Sequence, residues 1–169
     1  MLSSTIIPMP ANDKDFEEKC VVLFAGLLGD PNVKTYGARG QGQSGLDLIG
    51  RRGRDPMQPV GVQCKLKTKG GRLTNKEIRD ETAAALTVTP PLTEYYIVTT
   101  ASDDPAFDQL ALELAQAQQA LGRTIDIQVF GWETLQQKIR GDQRARDAFD
   151  PGHSPAADTL LVVTTETLE

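Results

Sequence analysis

Three residues have the types and spacing to do chemistry together. Asp47 is an ionisable side chain among Leu46, Leu48 and Ile49, in an otherwise apolar run. Gln63 and Lys65 stand two apart in a segment, 60–67, where residue character alternates, so on a strand both point to one face. If the two runs pair as a hairpin, Asp47 can face both. Oxygen ligands hold Mg²⁺, commonly one or two carboxylates together with waters and a substrate phosphate. A lysine beside them can orient a water or offset charge that develops in the transition state. Hydrolysis of a phosphodiester calls for these parts. Each residue also has a plainer use: an aspartate can be an edge charge, and Gln-x-Lys can be an ordinary wet strand face.

Other chemistries find less support. His153 is the only histidine and lies in a Pro/Gly-rich stretch. A Ser–His–Asp or Cys–His device would have its base on a linker, and a metal site built mainly of histidine is excluded by the count. Cys20 and Cys64 form no CxxC pair, so no zinc site is expected, and both read as small buried apolar groups. No run of about 18 apolar residues exists, so no transmembrane helix is expected. The N-terminal MLSSTIIPMPANDKDFEEKC lacks a signal-peptide pattern, which makes the cytoplasm the expected compartment. With 169 residues, 39% apolar and 24% charged, the chain has the means for one well-buried core rather than for disorder.

The net charge of −5 argues at first against a polyanionic partner. Its distribution reverses that impression. Between Arg51 and Arg79, nine basic residues face only Asp55 and Glu77, giving +7 and leaving −12 on the rest. One basic face on an acidic body is the implied arrangement, with a solvated lysine-rich loop as the alternative.

The elements that must position these residues follow from pattern. Asn12 or Asp13 caps a helix to about Leu28, with Phe16, Cys20, Leu23, Phe24 and Leu27 as its buried stripe. Strands are expected at 33–36, 46–49 and 60–67. In the last of these, Val60, Val62, Cys64 and Leu66 share one face, and Gly61, Gln63, Lys65 and Lys67 the other. A glycine-rich polar turn fills 37–45. Thr74 to Glu77 matches a capping box opening a helix to about Leu86. A strand at 95–99, a helix from Asp104-Pro105 to Gly122, a strand at 124–130 and a short helix to about Ile139 complete the domain. The order is that of an α/β domain, a mixed central sheet flanked by helices. Residues 1–140 read as this domain and 141–169 as a linker or C-terminal extension, with a further domain or a strand at 160–165 beyond.

With these pieces in order, the chain resembles the PD-(D/E)xK nucleases and their restriction-endonuclease-like core, specifically the Mrr-like branch, which often carries Gln-x-Lys in place of Glu-x-Lys. The matching segments are Phe16-Glu17, Gly40-Gln41 through Ser44-Gly45-Leu46-Asp47, Val62-Gln63-Cys64-Lys65, the strand from Tyr96 to Thr100, and Val129-Phe130-Gly131-Trp132. The resemblance covers about residues 12–140. It implies Asp47 as principal metal ligand, with the Gln63 side-chain carbonyl and the Cys64 main-chain carbonyl adding oxygens, and Lys65 positioning or activating the water. Glu17 would reach the metal directly or through water, with Glu18 as the fallback, unless Glu17 only complements the helix dipole. The metal would be Mg²⁺, with Mn²⁺ a substitute. Gln63 removes one negative charge relative to Glu, so metal affinity falls unless Glu17 compensates.

The resemblance further implies a DNA endonuclease, acting on double-stranded DNA as the effector of a bacterial antiphage-defence or restriction system. A fused or associated sensor or ATPase and a homo-oligomer accompany that picture, and no membrane does. Gln41 and Gln43 would contact the site or the DNA backbone. Arg51, Arg52, Lys67, Lys69, Arg72 and Lys76 would hold phosphates, making binding salt-dependent and indifferent to sequence. A catalytically inactive nucleic-acid-binding module of the same fold, and a purely structural domain with a solvated basic loop, are the competing functions.

Overall fold

In a computed structural model, residues 6–37 and 45–153 of the chain are described. Helix α1 spans Asp13–Leu28, opened by Asn12, whose side chain accepts from the Asp15 amide, and closed by Gly29 in the left-handed conformation. Strands β1 (Lys34–Thr35), β2 (Leu48–Arg51) and β3 (Pro59–Lys65) follow, with a 3-10 turn at Arg52–Arg54. Helix α2 (Asn75–Ala85) has the expected capping box between Thr74 and Glu77. Then come β4 (Glu94–Thr99), α3 (Pro105–Ala120) capped by Asp104, β5 (Asp126–Phe130) and α4 (Trp132–Arg140).

The five strands form one mixed sheet in chain order. The β1–β2 and β2–β3 pairs are antiparallel; β3–β4 and β4–β5 are parallel, because α2 and α3 carry the chain back across the sheet. Helices bury both faces. Phe16, Cys20, Leu23 and Phe24 of α1 pack with Leu48, Val60, Val62 and Cys64 on one side. Leu46, Ile78, Tyr95, Ile97 and Phe107 form the other core. Both cysteines are buried and free, as expected from sequence.

Two features differ from the sequence expectation. Residues 143–149 form a further helix, α5 (Gln143–Phe149), not an extended linker; Ala145 and Phe149 are fully buried against the α1 side of the core. Its seven residues give too little periodicity to stand out. Strand β2 also starts two residues late and runs through Arg51, for a reason that bears on the site. The expected strand at 160–165 and most of the glycine-rich turn lie outside the described residues.

Candidate functional site

Regular pairing of β2 with β3 begins at Leu48 opposite Val62. One residue earlier the ladder is irregular. The Asp47 amide donates to the Val62 carbonyl at 2.7 Å, and the Cys64 amide donates to Asp47 Oδ2 at 2.8 Å. A side chain thus takes the place of a backbone acceptor. The carboxylate is thereby fixed to the strand that carries Gln63 and Lys65. Burial pushes the Asp47 pKa up, opposed by the Cys64 amide and by the positive charge of Lys65. Gln63 is half-buried and pairs with Ile97 of β4 in the ladder, and its side-chain amide makes no hydrogen bond with any described residue. Asp47 is thus joined to β3 at Cys64, between Gln63 and Lys65.

Helix α1 adds Glu17. Its carboxyl pKa is pushed up to about 7, first by burial and then by the negative charges of Asp47, Asp13 and Glu18. The capping work at this end of the helix falls to other residues. Asn12 accepts from the Asp15 amide, and Asp15 accepts from the Ala11 amide at 2.8 Å and from Lys19. Glu17 takes no part in that capping and is near enough to Asp47 for the two charges to repel, while Glu18 is exposed.

Helix α2 adds a residue that sequence reasoning missed. Glu81 forms an ion pair with the Lys65 ammonium, and its charge also acts on Asp47. The only sequence cue is its place on the solvent-side pattern of α2, where an acid is ordinary. What brings α2 close is Gly45. A Cβ there would lie 2.4 Å from the Glu81 carbonyl oxygen and 3.0 Å from the Ala85 nitrogen, and its φ of +71° is already left-handed. The Tyr95 hydroxyl donates to the Gly45 carbonyl at 2.8 Å from within the core. The chain entering Asp47 is thus clamped between β4 and α2.

The basic segment is less free than its charge suggested. Arg52 bonds Glu94 through two nitrogens, at 3.0 and 2.7 Å, and donates to the Leu27 carbonyl. Lys67 pairs with Glu77 at 2.6 Å, Arg72 with Asp104 at 3.9 Å, Lys76 with Asp80 at 2.5 Å and Arg79 with Glu113 at 3.8 Å. With Lys65, six of the nine basic residues have carboxylate partners. Among the described residues Arg51, Arg54 and Lys69 have none. Gln41 and Gln43 lie outside the described residues. No described helix is long and apolar enough to cross a membrane.

A mixed sheet of this order, clasped by helices on both faces, is the architecture of a restriction endonuclease. The chain is similar in structure to the MspJI restriction endonuclease, solved in complex with a 27-mer oligonucleotide. The TM-score is 0.52 at 20% sequence identity, over 92% of this chain and 32% of that one, so the chain spans about a third of the MspJI length. No protein-family model and no curated protein matches the chain.

Proposed function

We propose that this chain is a metal-dependent endonuclease domain that hydrolyses DNA phosphodiester bonds, built on the D…QxK pattern of the Mrr-like PD-(D/E)xK nucleases. The observation that carries the proposal is the Cys64 amide bond to Asp47 Oδ2, which ties the one carboxylate of the β2 entry to the Gln63–Lys65 strand. The fold likeness to a restriction endonuclease supports it.

The donor set fits a hard divalent cation. No group of three or more His, Cys, Asp or Glu side chains suited to a metal exists among the described residues. Two carboxylates that repel each other, Asp47 and Glu17, together with a half-buried amide, suit Mg²⁺, which takes one or two protein carboxylates and otherwise water and phosphate. Asp47, Gln63, Glu17 and the Cys64 carbonyl would hold it, with Mn²⁺ as a substitute. When bound, it would neutralise phosphate charge and make a water acidic enough to attack. Lys65 stands beside Asp47 with its ammonium held by Glu81, so it offers fixed positive charge where the pentavalent phosphate gathers negative charge. A role in restriction or antiphage defence in the cytoplasm, a fused or associated sensor or ATPase, and homo-oligomerisation belong to the same proposal.

A second reading is an inactive nucleic-acid-binding module. The neutral Gln63 and the Lys65–Glu81 pair favour it, since both lower the charge available for catalysis. Plasmid DNA incubated with Mg²⁺ or Mn²⁺ separates the two. Cleavage by the wild type that is lost in Asp47→Ala and Lys65→Ala supports the nuclease. Cleavage that survives both substitutions sinks the proposed centre, and salt-sensitive binding without cleavage favours the second reading.

A further inference from the structure

Three cations without ion-pair partners among the described residues, Lys34, Arg51 and Arg54, line one place. A groove of about 910 Å³ runs along the outer edge of the sheet, lined by Lys34, Tyr36, Arg51 and Arg54. Asp30 also lines it, but its carboxylate is engaged by the Asn32 amide at 2.9 Å and the Arg51 amide at 2.7 Å. Asp55, next to Arg54, accepts from the Met57 amide. Lys34, Arg51 and Arg54 are exposed and have no ion pair among the described residues. The cavity near the other basic residues, by Lys67, Lys69 and Arg72, differs: two of its three cations are paired, and Asp103 and Asp104 share its wall.

Backbone conformation adds a second sign. Arg54 holds a φ of +65°, the one described non-glycine residue in the left-handed region. Such a conformation costs about 1–2 kcal/mol and recurs where function holds the backbone. Here it follows Gly53, also left-handed, at the tip of the β2–β3 connection, on the wall of the groove.

The groove also leads to the candidate site. The Tyr36 amide donates to the Asp47 carbonyl at 2.7 Å, so its Tyr36 end adjoins Asp47. From Asp47 to Arg51 is four residues, roughly 13 Å of strand. Along the axis of a duplex that is the rise of roughly four base pairs at 3.4 Å each.

We propose that Lys34, Arg51 and Arg54 form a phosphate-binding track for duplex DNA that flanks the Asp47 site, contacting phosphates a few nucleotides from the bond to be cut. The track rests on the nuclease proposal for its substrate, and it moves the DNA contacts from the 67–76 segment to the β1–β2 edge. Its cations act on backbone charge and read no base.

Three phosphate contacts contribute about 2.7 to the slope of log affinity against log salt. The test is duplex DNA binding by fluorescence anisotropy, without divalent metal, from 50 to 200 mM salt. Over that fourfold range the wild type should lose about 40-fold more affinity than Lys34→Gln/Arg51→Gln/Arg54→Gly, given that slope. Arg54→Gly should fold at least as well as the wild type, because glycine accepts the left-handed φ. A thermal melt of each variant verifies folding. A triple variant with the wild-type slope overturns the track; a slope that falls instead in Lys67→Gln/Lys69→Gln/Arg72→Gln returns the contacts to that segment. Wild type that binds no duplex overturns the track as well. Failure of the nuclease proposal shows separately: cutting of plasmid DNA by Asp47→Ala/Lys65→Ala refutes the centre while leaving the track to its own result.

Discussion

Replacing Gly45 by alanine tests whether the clamp on the Asp47 segment is real. Two costs are expected. The left-handed φ of +71° penalises any Cβ by about 1–2 kcal/mol. The added carbon would also meet the Glu81 carbonyl oxygen at 2.4 Å, a backbone atom of α2 that cannot swing aside. Relieving that overlap costs about 1–3 kcal/mol. If the segment retreats, the buried Tyr95 bond to the Gly45 carbonyl weakens, adding about 1 kcal/mol or more. The expected total is about 3–6 kcal/mol. Gly53 supplies the control, because its φ is +59° and a Cβ there would touch nothing within 4 Å. Gly53→Ala should cost only about 1 kcal/mol. In thermal unfolding followed by circular dichroism, that difference separates Tm losses of roughly 10 °C and roughly 3 °C for a chain of this size. Equal losses in the two variants would refute the packing argument.

Glu17→Gln should change the pH dependence of stability. The folded state holds the Glu17 proton to about pH 7 and the unfolded state only to about 4.5, so native stability is lost as pH rises between them. The interval sets a ceiling of about 3 kcal/mol, and partial exposure reduces it to about 1 kcal/mol. Urea unfolding should show the glutamine variant more stable by about that much at pH 8 and equal at pH 4; a gain of the same size at both would refute the repulsion. Arg52→Ala should lower stability by about 1 kcal/mol through loss of the Glu94 and Leu27 bonds, and leave the salt dependence of DNA binding unchanged. A shallower slope in that variant would make Arg52 a phosphate contact.

Sequence pattern disclosed much of this architecture because local rules and tertiary packing agree. The Asn12, Thr74 and Asp104 caps are local chemistry, and the 60–65 alternation survives burial on both faces. Gly61 is the exception in that strand: it is buried because Leu46 and Leu92 cover it, where a polar face was expected. The closeness of Asp47 to the strand that carries Gln63 and Lys65 was legible from the pairing of the two segments. Glu81 was not, because its meeting with Lys65 depends on how closely α2 approaches Gly45, a tertiary distance no spacing records. For the same reason the basic segment could be counted but not read. Lys65, Lys67 and Arg72 find acids contributed by α2 and by the cap of α3, whereas Arg51, at the end of β2, and Arg54 pair with no acid among the described residues, although Glu94 reaches Arg52 between them. Helix α5 was missed because its evidence is Phe149 meeting α1 across the chain.

The central claim is that Asp47 and Gln63 share a divalent cation. Crystals grown with Mn²⁺, measured for its anomalous scattering, test it most directly. The account predicts one peak bonded to an Asp47 carboxylate oxygen at about 2.0–2.2 Å, with the Gln63 side-chain oxygen also in its shell. The peak should vanish in Asp47→Ala. A cleaving enzyme whose manganese lies elsewhere, or whose Asp47 binds none, would contradict it.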